Sequence, residues 1–184
     1  KEIGLRTQQF DNRLALSLAL FHTHRDHAQL ENWMWDEAAG LWIGYLDSTS
    51  DTTSYGAELE TTFDVNSHVQ LFANLGWLHN EVDSIAAFDL DLAQFVDKQD
   101  RDQAKSPAYQ YNVGTRLAFS DQWSGRIEFE GRDDSYYGYY HDGKLDDYHL
   151  VNASAQWQSG AIAITLWGRN LNDEDYAVHG LYFA

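Results

Sequence analysis

Cysteine is absent from these 184 residues and proline occurs once. The first absence excludes disulfides and thiolate metal sites, and the second leaves almost nothing to interrupt a β-ladder. Positive charge is also scarce: 12 Lys and Arg stand against 29 Asp and Glu, a formal net charge of -17. A polyanion-binding protein needs clustered cations to displace counterions, so no nucleic-acid partner is expected. No apolar run approaches the roughly 20 residues that a membrane helix requires, and mean hydropathy is -0.53. The opening residues, KEIGLRTQQF, have neither the apolar core nor the cleavage site of a signal peptide. They read as a strand already under way, which predicts a chain cut from something longer. Also missing are a phosphate loop, a nucleophile elbow and a His-Glu zinc helix, so catalysis finds no foothold and no enzyme is expected.

What the sequence does have is aromatic residues, 15% of the total, and strict period-two alternation. In LALSLALF, Leu14, Leu16, Leu18 and Leu20 share one face while Ala15, Ser17 and Ala19 take the other. YGAELETTFD sets Tyr55, Ala57, Leu59, Thr61 and Phe63 against Gly56, Glu58, Glu60, Thr62 and Asp64. YQYNVGTRLAFS and WSGRIEFEGR repeat the pattern, the second with Trp123, Ile127 and Phe129 opposed to Arg126, Glu128, Glu130 and Arg132. The spacing predicts eight strands over residues 2–10, 13–30, 41–64, 68–82, 107–120, 123–136, 146–158 and 161–176. Short turns, FDNRL, DVNSHV, SDQWS and QSGA, fall on one side; longer acidic and aromatic connections fall on the other.

Alternation alone suits a soluble sandwich as well as a membrane barrel. Three features favour the barrel. Several strands reach the roughly 9 to 11 residues that a tilted strand needs to cross a bilayer. Turn lengths are asymmetric as in outer-membrane barrels. Aromatics such as Tyr55, Phe63, Trp77, Tyr109, Phe119, Trp123 and Trp157 gather near the ends of the apolar stripes, as interfacial girdles do. The charged face then lines a wet lumen.

Several stretches carry a family resemblance. ITLWGRNLNDEDYAV, with Asn170, Leu171, Asp173 and Tyr176, resembles the late-strand motif of TonB-dependent outer-membrane receptors. TSYGAELE, with Gly56 and Glu58, is similar to that family's strand opening after an extracellular loop. EIGLRTQQFDNRLALSLALFHTHRDHAQ resembles its Glu-x-Gly strand, tight turn and long return, and RDDSYYGYY and YHLVNASAQW fit the remaining hairpins. The resemblance implies an all-β, antiparallel up-and-down transmembrane barrel segment, about eight strands of a 22-stranded plugged transporter. It implies that residues 1–184 form a partial barrel domain lacking the plug and the final strand. It further implies a cell outer membrane location in a Gram-negative bacterium and energy-dependent uptake of a scarce solute, a ferric siderophore, cobalamin or a glycan. The implied partners are the lipid bilayer and lipopolysaccharide, a small-molecule ligand, and the TonB complex through the missing N-terminal part. The alternatives are a small self-contained passive barrel or adhesin and a soluble carbohydrate-binding β-sandwich.

Two aromatic loops are the expected ligand contacts. Trp33, Trp35, Trp42 and Tyr45 flank a hairpin tip, and Tyr137, Tyr139, Tyr140 and His141 form a second group beside Tyr136. Exposed aromatic faces stack on planar ligands, and their polar edges orient them. The acidic loop around IAAFDLDLAQFV lacks the carboxylate spacing of a calcium loop and is expected to hold a short helix or strand. FHTHRDH packs three of eight histidines into seven residues. His22 and His24 share the Leu14 face with Asp26 while His27 takes the other, so the trio does not converge. A stable zinc site needs about four ligands, or three where it is catalytic, and the stretch reads as polar interfacial residues. No cofactor or metal is expected.

Overall fold

The computed structural model describes residues 1–36, 38–89, 94–139 and 142–180; for 30–35, 42, 47, 49, 87–89 and 95 the description is of the backbone alone. The elements are β1 (Glu2–Gln9), β2 (Leu14–Asp36), β3 (Leu41–Asn66), β4 (Val69–Asp89), β5 (Gln94–Asp102), β6 (Tyr109–Ala118), β7 (Trp123–Arg132), β8 (Ser135–Tyr136), β9 (Lys144–Leu145), β10 (Tyr148–Ser159) and β11 (Ile162–Gly168). Eight of them form one antiparallel path, β1-β2-β3-β4-β6-β7-β10-β11, in which strands consecutive along the path are hydrogen-bonded neighbours. β5 pairs only with the distal half of β4, and β8 with β9 make a separate two-stranded piece.

Register locks the stripes together. Leu18 faces Leu5 on β1 and Leu59 on β3; Leu59 faces Leu75, and Leu75 faces Tyr111. The same face continues through Val113 and Phe129, then Val151. Because side chains alternate, a slip of one residue would turn the whole apolar set inward. No second sheet covers this face among the described residues: Ile3 is 71% exposed, Ile164 60% and Leu166 77%. A sandwich would bury those side chains across a core about 10 Å thick. Nothing here does so.

Two aromatic belts bound the apolar band. Phe63, Phe119, Trp123 and Trp157 lie at the short-turn end, with Trp123 directly opposite Trp157. Tyr55, Trp77 and Tyr109 lie at the other, Tyr55 meeting Trp77 edge-on at 5.8 Å. From Phe63 to Tyr55 is eight steps along β3, roughly 26 Å of strand and roughly 20 Å along the normal at a tilt of about 40°, close to the ~25 Å band of outer-membrane barrels.

The short turns are held by local chemistry. Phe10, Asp11 and Asn12 all have left-handed backbone, with φ of 56°, 56° and 66°, and the Arg13 amide donates back to the Phe10 carbonyl at 3.1 Å. Asn66 Oδ1 accepts from the His68 and Val69 amides at 2.8 and 3.0 Å, and Ser120 Oγ does the same for Gln122 and Trp123. Gly160 supplies a φ of 56° in the last turn. At the opposite end β2, β3 and β4 run on for 23, 26 and 21 residues in all, about twice what a bilayer requires.

Four strand ends lie more than two residues from the sequence expectation, among them that of β7, which stops at Arg132 and not at 136. β2 continues to Asp36 and β4 to Asp89, and of the helix and the strand left open for the acidic segment it takes the strand, pairing as β4 with β5. The last strand stops at Gly168 and not at 176. Asn170 and Asp173 turn left-handed there, at φ 52° and 54°, and the chain folds back over β10.

Candidate ligand-facing surfaces

The polar face of the sheet is a wall of paired ions and amides over aromatic rings. Phe72 is buried on it with the tip of its ring against Gly114, where an added Cβ would come within 2.7 Å of Cζ. The Arg116 and Arg126 guanidinium carbons, from β6 and β7, sit 4.7 and 4.4 Å from the centre of that ring, in cation-π reach. Arg126 Nε donates to Glu128 at 2.8 Å, and Arg169 donates to Glu130 at 2.9 Å. Glu58 and Glu60 make no ion pair among the described residues. They line, with Asn74, Gln110, Arg132 and Tyr148, a concavity of about 560 Å³.

The segment after β11 closes part of this wall. Above its pairing with β11, the free edge of β10 takes substitutes for a strand: the Leu171 amide donates to Val151 O at 2.7 Å. Asn172 Oδ1 accepts from the Val151 amide at 2.9 Å and its Nδ2 donates to His149 O at 2.7 Å. One amide side chain thus mimics a peptide unit on the ladder. Tyr176 then meets Tyr148 at 4.5 Å between ring centres.

Beyond the outer belt, residues 133–139 and 142–147 pack onto the β4–β5 hairpin. Val82 is fully buried and Ile85 nearly so, and Tyr139 packs on both; burial pushes the Tyr139 phenol up from its usual pKa. The Arg101 guanidinium lies 4.0 Å over the Tyr136 ring and donates to Asp142 Oδ1 at 2.7 Å, where Lys98 donates as well at 2.8 Å. Those two hydrogen bonds, and then the two positive charges, hold the Asp142 carboxyl down at about 2. Lys144, 4.7 Å over the same Tyr136 ring, is raised above the usual lysine value by its hydrogen bond to Asp134.

Among the sequence-predicted contacts, Tyr45 is exposed. The Tyr137 ring approaches both Gly143 and Gly180 so closely that a Cβ on either would collide with it, and Tyr139 is committed to the packing just described. The side chains of Trp33, Trp35 and Trp42, and the whole of Tyr140 and His141, lie outside the described residues. FHTHRDH does not converge on one point: His22 stacks on Tyr55, His24 turns to Thr53 and Asp26, and His27 sits at a bulge. Three strands share one arrangement at this level, His24 with Asp26, His79 with Glu81 and His149 with Asp147. In each pair the carboxylate is two residues further from the apolar band. Sequence reasoning missed Arg101, Asp142 and Asp51, whose partners depend on register and loop packing.

A family model described as TonB dependent receptor-like, beta-barrel matches residues 1–171. The chain belongs to this family of TonB-dependent receptors. Its fold is similar to that of the ferric yersiniabactin uptake receptor FyuA from Yersinia pestis, with a TM-score of 0.74 and 17% identity over 100% of this chain and 26% of that one. The siderophore receptor PiuA from Acinetobacter baumannii gives 0.73 and 16% over 95% and 24%. The ferripyoverdine receptor of the outer membrane of Pseudomonas aeruginosa gives 0.62 and 19% over 95% and 23%. The chain spans about a quarter of the length of these solved receptors. The family and its structural neighbours are receptors and transporters and not enzymes, and the segment described here is an open, eight-strand stretch of barrel wall.

Proposed function

We propose that this chain is part of an outer-membrane receptor that takes up a scarce solute, a ferric siderophore first among the candidates, with energy relayed by the TonB complex. The observation that carries this reading is the two-faced sheet: among the described residues an apolar face that nothing covers lies between aromatic belts, and the opposite face carries ion pairs together with carboxylates, Glu58 and Glu60, that have none. The siderophore receptors among the structural neighbours support the choice of cargo. β1 and β11 are the edges of the sheet, and unpaired edges are costly in hydrocarbon, so further strands of the same barrel cover them. A plug and a final strand beyond these residues complete the domain. In this proposal the long β2–β3 hairpin offers Trp33, Trp35, Trp42 and Tyr45 to the incoming ligand and the loop after β8 offers Tyr140 and His141, while Tyr137 and Tyr139, packed respectively against Gly143 and on Val82 and Ile85, brace that loop. The outer leaflet around the wall is lipopolysaccharide.

Growth under iron limitation tests the reading. A strain deleted for the receptor is offered a panel of ferric siderophores as sole iron source. It is expected to lose use of one of them and to regain it with the wild-type gene. A variant with Trp33, Trp35 and Tyr45 changed to Ala is expected to restore it poorly while reaching the outer membrane normally. Unimpaired growth of the deletion strain on every siderophore would remove iron from the proposal and leave cobalamin or a glycan to be tested the same way.

A further inference from the structure

Where β2 leaves the apolar band its pairing with β3 slips. Arg25 faces Thr52 and Ala28 faces Ser50, so Asp26 and His27 together oppose the single residue Asp51. The bulge is pinned by a left-handed His27, φ 53°, whose amide donates to Asp51 Oδ1 at 2.8 Å. Its consequence is chemical. One donor atom each from His24, Asp26 and Asp51 lies within 4.8 Å of the other two. The His24 parity places the group on the outer face of the wall, just beyond Tyr55.

Two features of this cluster ask for a cation. Carboxylates of like charge set opposite one another across a ladder repel, and among the described residues neither Asp26 nor Asp51 is ion-paired with Lys or Arg. His24 is also oriented for a metal: its Nδ1 is occupied by Thr53 Oγ1 at 3.0 Å, leaving Nε2 to point at Asp26 Oδ1, 3.0 Å away. A hydrogen bond to the far ring nitrogen is how metal-ligating histidines are usually held. The His79–Glu81 and His149–Asp147 pairs have the same spacing along their strands, and no metal-type cluster forms around either among the described residues. The feature that sets β2 apart is the second carboxylate, delivered by the bulge.

We propose that His24, Asp26 and Asp51 form a divalent-metal site on the outer wall of the barrel, at the level where β2 and β3 emerge from the bilayer. One imidazole and two carboxylates suit a first-row ion such as Zn²⁺ or Mn²⁺. The exposed side of the cluster, where the Asp26 side chain is 74% accessible, leaves the remaining coordination positions to water or to an oxygen of the surrounding headgroups. The sequence reading set metal aside because the histidines diverge; Asp51, distant in sequence, replaces the missing ligand.

The test uses the whole receptor, stripped with EDTA, dialysed in detergent and titrated with Zn²⁺ by calorimetry, with bound metal counted by mass spectrometry. One stoichiometric site is expected. Asp51→Asn, His24→Ala and Asp26→Asn should each weaken it by roughly tenfold or more, whereas His22→Ala, on the same face but outside the cluster, should leave it unchanged. Heat-modifiable mobility reports whether each variant barrel is folded, and the exposed Asp26→Asn serves if either of the others is not. Absence of stoichiometric binding, or equal loss in His22→Ala and Asp51→Asn, overturns the site. Because the readout is metal on purified protein, either result is independent of which solute the receptor carries.

Discussion

Below the belt of Tyr55, Trp77 and Tyr109 the sheet is regular, and above it the same strands change character. Within the band the β4–β6, β6–β7 and β7–β10 ladders run without a register shift. Above it β2 bulges, β4 exchanges β6 for β5, and residues 133–139 and 142–147 fold onto the result through Arg101, Tyr136 and Asp142. Hydrocarbon offers no partner for a backbone N–H or C=O, so inside the band every residue must serve the ladder. Outside it water satisfies the backbone, and side chains are free to make the irregular polar contacts that recognition needs. The bulge at Asp26 and His27 marks the point where one regime gives way to the other.

The sharpest way to break the comparison is to put a charge on the wrong face of the band. Leu18→Arg, on the lipid face midway between the belts, should cost about 2 to 4 kcal/mol in a denaturant titration of the lipid-reconstituted receptor. Ser17→Arg, one residue away on the wet face, should change stability by no more than about 0.5 kcal/mol. Equal effects would mean the two faces see the same solvent.

Glycines sharpen it next. A Cβ on Gly114 would collide with the Ile127 carbonyl oxygen and stand 2.9 Å from Glu128 Cα, both backbone. Gly114→Val should therefore lose about 1 to 3 kcal/mol, seen as a lower midpoint for loss of heat-modifiable mobility. At the β2–β3 tip a Cβ added to Gly40 would meet nothing within 4 Å among the described residues and only the φ of +63° resists it, so Gly40→Ala should cost about 1 kcal/mol or less, confined to the hairpin.

The fold-back after β11 predicts a smaller, local effect. Asn172→Ala removes the acceptor of the Val151 amide and a donor to His149, and exchange at the Val151 amide should quicken by about fivefold, the equivalent of about 1 kcal/mol. Least of all is the pH response of the outer packing. The Asp142 carboxyl is held below its usual value of 3.8, at about 2, so its contribution is complete above pH 3.8 and is lost as pH falls through 2. The side chain is 79% exposed, which limits that contribution to under about 1 kcal/mol. Proteolysis of residues 133–147 should rise between pH 4 and 2 while the wall stays intact; a flat profile would mean the carboxylate does not hold the loop.

The wall was legible because period-two alternation is a physical necessity for a strand with two different solvents. Leu14 to Leu20, Tyr55 to Phe63 and Trp123 to Phe129 each announced a face, and register joined those faces as expected. Strand ends were not legible. Alternation fades above the apolar band, so the sequence of β2 did not forecast its length, IAAFDLDLAQFV left helix and strand open where β4 continues, and the left-handed turn at Asn170 ended β11 at Gly168, short of the expected 176. Long-range partners were invisible for a different reason. Arg101 reaches Asp142 across 41 residues, and Asp51 meets His24 only because a bulge shifts the pairing; neither contact leaves a periodic trace.

The most direct measurement of the outward-facing stripe is a cysteine scan of residues 14 to 20, simplified by the absence of native cysteine in this segment. Each site in turn carries a fluorophore in the receptor reconstituted in bilayers, with a lipid-attached quencher and a water-soluble one. Lipid quenching is predicted at positions 14, 16, 18 and 20 and aqueous quenching at 15, 17 and 19. Quenching without that alternation, or with its phase reversed, would contradict the account.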